Sequence, residues 1–104
     1  MQFWMKRDDI IPPLPLRLTE IGDAWLARDL ITRATLAAPG TIYARDLWAE
    51  ILRRLAADAL TTDEVVHAIR ADPEFAFYHA PELRRHVALL LELEYVELIR
   101  QLEP

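Results

Sequence analysis

A chain of 104 residues with 53% apolar residues, two glycines and no cysteine reads as one small ordered domain that uses neither disulfides nor thiolate metal ligands. Its net charge of −5 argues against a broad basic face for non-specific nucleic-acid binding. The charge is uneven, however: residues 28–54 carry five Arg against three acids, residues 58–82 one Arg against six acids, and residues 92–104 are net −3.

Residues 1–17 read as an extended arm, because Pro12, Pro13 and Pro15 remove backbone donors and fix φ. The arm is expected to lie on the domain's own apolar surface with Leu14 and Leu16 buried; its PxxP spacing is also that of a polyproline ligand. Residues 18–104 form a single helical domain. A first helix is expected over residues 19–38, N-capped by Thr19, with Glu20 and Asp23 in its first turn. Its apolar stripe is Ile21, Trp25, Leu26, Leu30, Ile31 and Ala34, and Pro39-Gly40 ends it. The second helix begins after Thr41. Ala44, Leu47, Trp48, Ile51, Leu52, Leu55 and Ala59 follow the helical i, i+3, i+4, i+7 spacing, with Arg45, Glu50, Arg53 and Arg54 on the other side.

Thr61-Thr62-Asp63-Glu64 is a capping box opening a third helix, whose apolar face is Val65, Val66 and Ile69. Asp72-Pro73 stops or restarts the chain, with Asp72 placed as N-cap and Pro73 at the first helical position. Phe75, Phe77 and Tyr78 crowd the next turn, and Ala80-Pro81 opens the last helix. Leu83, Val87, Leu90 and Leu91 share one face of it. Beyond Glu94 two readings compete: the helical stripe resumes at Tyr95, Leu98 and Leu102, or residues 95–99 form a strand, as their aromatic and β-branched content favours.

The run Leu83-Arg84-Arg85-His86-Val87-Ala88-Leu89-Leu90-Leu91-Glu92-Leu93-Glu94-Tyr95-Val96-Glu97 resembles the recognition-helix signature of ArsR-type winged-helix regulators, roughly V-S-R-H-L-x-x-L-x-x-x-G-L-V-E. Glu50-Ile51-Leu52-Arg53-Arg54-Leu55 and Leu60-Thr61-Thr62-Asp63-Glu64-Val65-Val66 resemble the family's I-L-x-x-L and L-T-x-x-E-L, so the likeness spans residues 44–99. It departs from the family in three places. Glu94 stands where the family has Gly, residues 72–80 are inserted, and no second wing strand follows residue 99, which leaves Gln2-Phe3-Trp4-Met5 as the candidate strand to pair with residues 95–99.

The expected fold is therefore mainly α, a winged-helix-like core over residues 41–100 with an N-terminal arm, an extra helix and at most a minimal β-ribbon. The resemblance implies double-stranded DNA as partner. Arg84 and Arg85 would enter the major groove with His79 beside them, Arg53 and Arg54 would grip the backbone, and helix one would supply a homodimer interface. The alternative is a helical protein–protein adaptor or inhibitor that docks through Phe75, Phe77 and Tyr78. His79, Glu82 and His86 would converge only if the last helix starts early; surface histidines are the ordinary reading, and neither metal nor cofactor is expected. Trp4, Trp25 and Trp48 read as core or interface anchors. No catalytic constellation stands out, so an enzyme is not expected. No segment has the ~20 apolar residues of a membrane span, and MQFWMKRDD lacks the order of a signal peptide, so a cytoplasmic location is expected.

Overall fold

The computed structural model describes residues 11–28 and 45–100. Within them lie two short strands, β1 (Leu16–Leu18) and β2 (Val96–Leu98), and four helices: α1 (Glu20–Arg28), α2 (Arg45–Ala57), α3 (Thr62–Arg70) and α4 (Ala80–Glu92). The protein is thus mainly helical, with one two-stranded ribbon among the described residues. No described helix is long and apolar enough to cross a membrane. The readings placed on Gln2–Met5, Trp4, Leu30, Ile31, Ala34, Pro39-Gly40, Thr41, Ala44 and Leu102, and the helix-one dimer surface beyond residue 28, lie outside the described residues.

The ribbon is antiparallel, with Leu16 opposite Leu98, Arg17 opposite Glu97 and Leu18 opposite Val96. The ladder extends past both ends: the Ile99 N–H donates to the Pro15 carbonyl at 2.8 Å and the Thr19 N–H to the Tyr95 carbonyl at 3.1 Å. Pro15 lacks an N–H, but this position of the ladder calls only on its carbonyl. On the other edge of β1, the Leu16 N–H donates to the Leu60 carbonyl at 2.7 Å. Residues 95–99 therefore follow the strand reading, and the strand that pairs with them is Leu16–Leu18. β1 also straddles the boundary drawn at residue 17: Leu16 is fully buried, so this end of the arm is part of the domain.

α2 is the central helix, packed against α1, α3 and β1. Its i, i+3, i+4, i+7 positions Leu47, Trp48, Ile51, Leu52 and Leu55 are all buried. Each such side chain is worth about 1.5–3 kcal/mol relative to exposure. Ala59 fits the same spacing but is exposed, because the helix ends at Ala57. Ile21 departs from the expected stripe of α1: it is 45% exposed, while Trp25 and Leu26 pack on the core.

α3 starts at the expected capping box. The Glu64 N–H donates to Thr61 Oγ1 at 3.2 Å, and the Thr61 N–H donates to Glu64 Oε1 at 2.9 Å. Val65, Val66 and Ile69 are buried beneath it. Of the two readings at Asp72-Pro73 the chain follows the stop: residues 72–79 form no helix. Asp72 Oδ1 does accept the Glu74 N–H at 3.0 Å, as a cap would, but the bonds from Phe75 to Asp72 and from Tyr78 to Phe75 close successive tight turns. The turns bury Phe75 and leave Phe77 outside.

α4 ends in a Schellman motif. The Tyr95 N–H donates to the Leu90 carbonyl and the Glu94 N–H to the Leu91 carbonyl, each at 3.0 Å. Glu94 carries the motif's left-handed conformation, φ 65°, which ordinarily favours Gly. The turn sends the chain from α4 into β2. It also touches the start of α1. Thr19 Oγ1 accepts the Gly22 N–H at 3.0 Å as the N-cap of α1 and donates to the Glu94 carbonyl at 2.6 Å.

Candidate functional site

The site is built on a line of aromatic rings running from the surface into the core. Phe77 stacks on Tyr78 with ring centroids 4.4 Å apart. Tyr78 meets the His86 ring edge-on at 6.0 Å, and His86 meets Trp48 edge-on at 6.5 Å. Trp48 in turn lies edge-on to Tyr95 at 6.4 Å, and Tyr95 packs on Trp25 at 4.3 Å. Trp48 is thus fully buried in the core and Trp25 half-buried against it, within the reading of both as core or interface anchors. α4 supplies His86, α2 supplies Trp48, and the 72–79 turns supply Phe77 and Tyr78, so the exposed end of the line rests on three packed elements.

His86 is the polar joint of this line. The Trp48 Nε1–H donates to its Nδ1 at 3.0 Å. Nδ1 must therefore be unprotonated, with any ring proton on Nε2. Burial pushes the His86 pKa below its ordinary value, the Glu82 carboxylate opposes this, and the Arg85 charge adds to the lowering. Burial raises the Tyr78 pKa, and the negative charges of Glu82 and Asp46 raise it further. With Nδ1 committed to Trp48, His86 does not join His79 and Glu82 as a chelating set. Among the described residues, no group of three His, Asp or Glu side chains is placed to hold a metal ion.

The arginines proposed for DNA are spread over two helices. Arg53 NH2 lies 3.2 Å from Glu50 Oε1 on α2. Arg54 Nε lies 2.9 Å from Glu50 Oε2, in the geometry of an ion pair rather than an aligned hydrogen bond, and its NH2 is 3.8 Å from Asp72. Arg84 reaches across to Asp63 at the start of α3, at 3.3 Å. Arg85 is exposed on α4. His79 is exposed at the N-cap of α4, where its backbone N–H donates to Glu82 Oε1 at 3.0 Å. Arg53 and Arg54 thus share Glu50 while Arg84 turns to Asp63. Surface pairs of this kind contribute about 0–1 kcal/mol each, but they place a carboxylate beside each of these three guanidinium groups.

The Phe75–Phe77–Tyr78 cluster divides on folding. Phe75 is buried and belongs to the core, so it is withdrawn from the proposed contact surface. Phe77 is 70% exposed and Tyr78 is half-buried beneath it. Sequence reading missed the tie between Trp48 and His86, which lie 38 positions apart with no local signal joining them. Comparison of the chain with known protein families, with curated proteins and with solved structures finds no match.

Proposed function

We propose that the protein is a non-catalytic protein-binding module that docks a partner through the Phe77–Tyr78 platform at the entrance to α4. The supporting observation is the exposure of Phe77 on a packed base: the residue is 70% exposed, yet its ring stacks on a Tyr78 held edge-on to half-buried His86. A large aromatic held in one orientation has little rotamer freedom left to lose on binding, which is the usual character of an interface anchor. The test compares variants for retention of a partner purified with the wild-type protein. Phe77→Ala should weaken that complex at least tenfold, since anchor truncations cost roughly 2 kcal/mol or more. The Arg84→Ala/Arg85→Ala double variant should leave it intact. A complex indifferent to Phe77→Ala overturns the reading.

The second reading is sequence-specific DNA binding by a winged-helix core. Its support is Glu94, which adopts φ 65° where the ArsR-type pattern has its Gly and turns the chain from α4 into a strand, as that pattern implies. It stands second because Asp63, Glu50 and Asp72 lie within 4 Å of three of the candidate arginines and would repel phosphate. A resemblance in fold also does not fix function. In this reading, duplex binding falls steeply with salt, and the Arg84→Ala/Arg85→Ala variant binds at least roughly tenfold more weakly. No duplex binding at low salt removes it.

A further inference from the structure

Resting on the protein-binding reading, we infer that the Phe77–Tyr78 platform receives a cationic side chain, an arginine or lysine from a basic segment of the partner, stacked on the open face of Phe77 and balanced by Glu74 and Glu82. One face of Phe77 is covered by Tyr78 at 4.4 Å with the rings 30° apart, and the side chain remains 70% exposed, so a second ring-sized face is available. The face of an aromatic ring carries negative quadrupole potential and attracts a cation placed over it.

The surrounding charge selects the same partner. Residues 58–82 hold six acids against one Arg. Glu74 stands three residues before Phe77 and Glu82 in the first turn of α4. Neither carboxylate has an ion-pair partner among the described residues, whereas Glu50, Asp63, Asp72 and Glu97 are all matched by arginines. Glu82 and Asp46 both act electrostatically on Tyr78, which sets their negative field at the platform itself. A purely apolar partner would cover Phe77 but leave the Glu82 charge beside Tyr78 unmatched. A guanidinium meets both needs, lying flat on the ring while its edge donates to a carboxylate.

The experiment titrates the full chain, labelled with 15N, with an acetylated and amidated tetra-arginine peptide. Tetraglutamate and a neutral tetraleucine-type peptide with a solubilising tail serve as controls. Binding should move the amide resonances of residues 74–82. Phe77→Leu keeps apolar bulk but removes the ring, and should weaken binding roughly two- to fivefold. Phe77→Tyr should retain it, and Glu82→Gln should weaken it. Circular dichroism confirms that each exposed-site variant is folded. Shifts scattered over every acidic surface, or equal affinity for Phe77→Leu, overturn the inference. So does movement of the same resonances by duplex DNA instead of the peptide. Preferential binding of the neutral peptide at Phe77 overturns the cationic partner but keeps the platform as a docking site. A natural complex indifferent to Phe77→Ala is the separate result that removes the docking site itself.

Discussion

The Trp48 indole donates its Nε1–H to Nδ1 of His86 at 3.0 Å, joining α2 to α4 through a half-buried histidine that has to be unprotonated at the accepting nitrogen. Protonation would place a hydrogen where Trp48 already points one. Acid therefore works against the core at this position.

His86 accordingly sets a pH dependence of stability whose sign follows from its depressed pKa. The unfolded chain takes up the proton near the ordinary histidine value of about 6.5. The folded chain resists until a lower pH, so between the two values the unfolded state binds more protons. The favourable contribution is fully present above about pH 6.5 and is lost as pH falls below it. His86→Asn retains an acceptor at the branch position without a titrating group. Its melting temperature should be lower than wild type at pH 7.5 for loss of the ring, but should fall less between pH 7.5 and 5.5. Parallel slopes for the two proteins would show that His86 does not titrate in this window.

Gly22 sits against the backbone of Tyr95. A β-carbon built on Gly22 would lie 1.9 Å from the Tyr95 carbonyl oxygen. Helix propensity alone favours Gly22→Ala by about 1 kcal/mol, so the sign of the change separates propensity from packing. Overlap with backbone forces α1 away from the β2 entrance, and we expect a net loss of about 1–3 kcal/mol in urea denaturation. A more stable Gly22→Ala would mean that α1 and the Tyr95 carbonyl do not approach this closely in solution.

Glu94 is the opposite case, a side chain where glycine is preferred. Its φ of 65° places it in the left-handed region, where a β-carbon costs roughly 1–2 kcal/mol. Glycine's extra unfolded-state entropy returns about 0.5–1 kcal/mol of that. Glu94→Gly should therefore stabilise by roughly 0.5–1 kcal/mol with both Schellman bonds retained, read as a higher urea midpoint at unchanged slope. An unchanged or lower midpoint would argue against this backbone conformation.

These residues show which parts of the fold are legible in the chain. The stripe from Leu47 to Leu55 and the Thr61–Glu64 capping box are local patterns, written within one or a few helical turns, and both form as read. Glu94 breaks the apolar stripe of the last helix, but the residues after it fit a strand and a resumed helix about equally, and only the structure decides for the strand. What stayed hidden is non-local. Leu16 with Leu98, Thr19 with Glu94 and Trp48 with His86 are tens of residues apart, and nothing near any of them names its partner. The candidate surface was half legible. Composition picks out Phe75, Phe77 and Tyr78 together, but only the turns after Asp72 decide that Phe75 goes inside and Phe77 outside.

Thr19 offers the last test, because one hydroxyl there serves two elements. Its oxygen accepts the Gly22 N–H and caps α1, while its proton goes to the Glu94 carbonyl at the end of α4. The cap is worth about 1 kcal/mol, and a second hydrogen bond about 0.5–1.5 kcal/mol. Thr19→Val keeps the shape and loses both, so it should cost roughly 2 kcal/mol. Thr19→Ser keeps both and should cost well under 1 kcal/mol. The two bonds meet at one atom, and the second involves the residue that carries the left-handed turn. Thr19→Val combined with Glu94→Gly should therefore deviate from the sum of the single effects, as contacting residues do. Denaturation of the four proteins of this cycle measures the coupling. Strict additivity, or equal losses for the Val and Ser variants, would show that Thr19 caps α1 without tying it to α4.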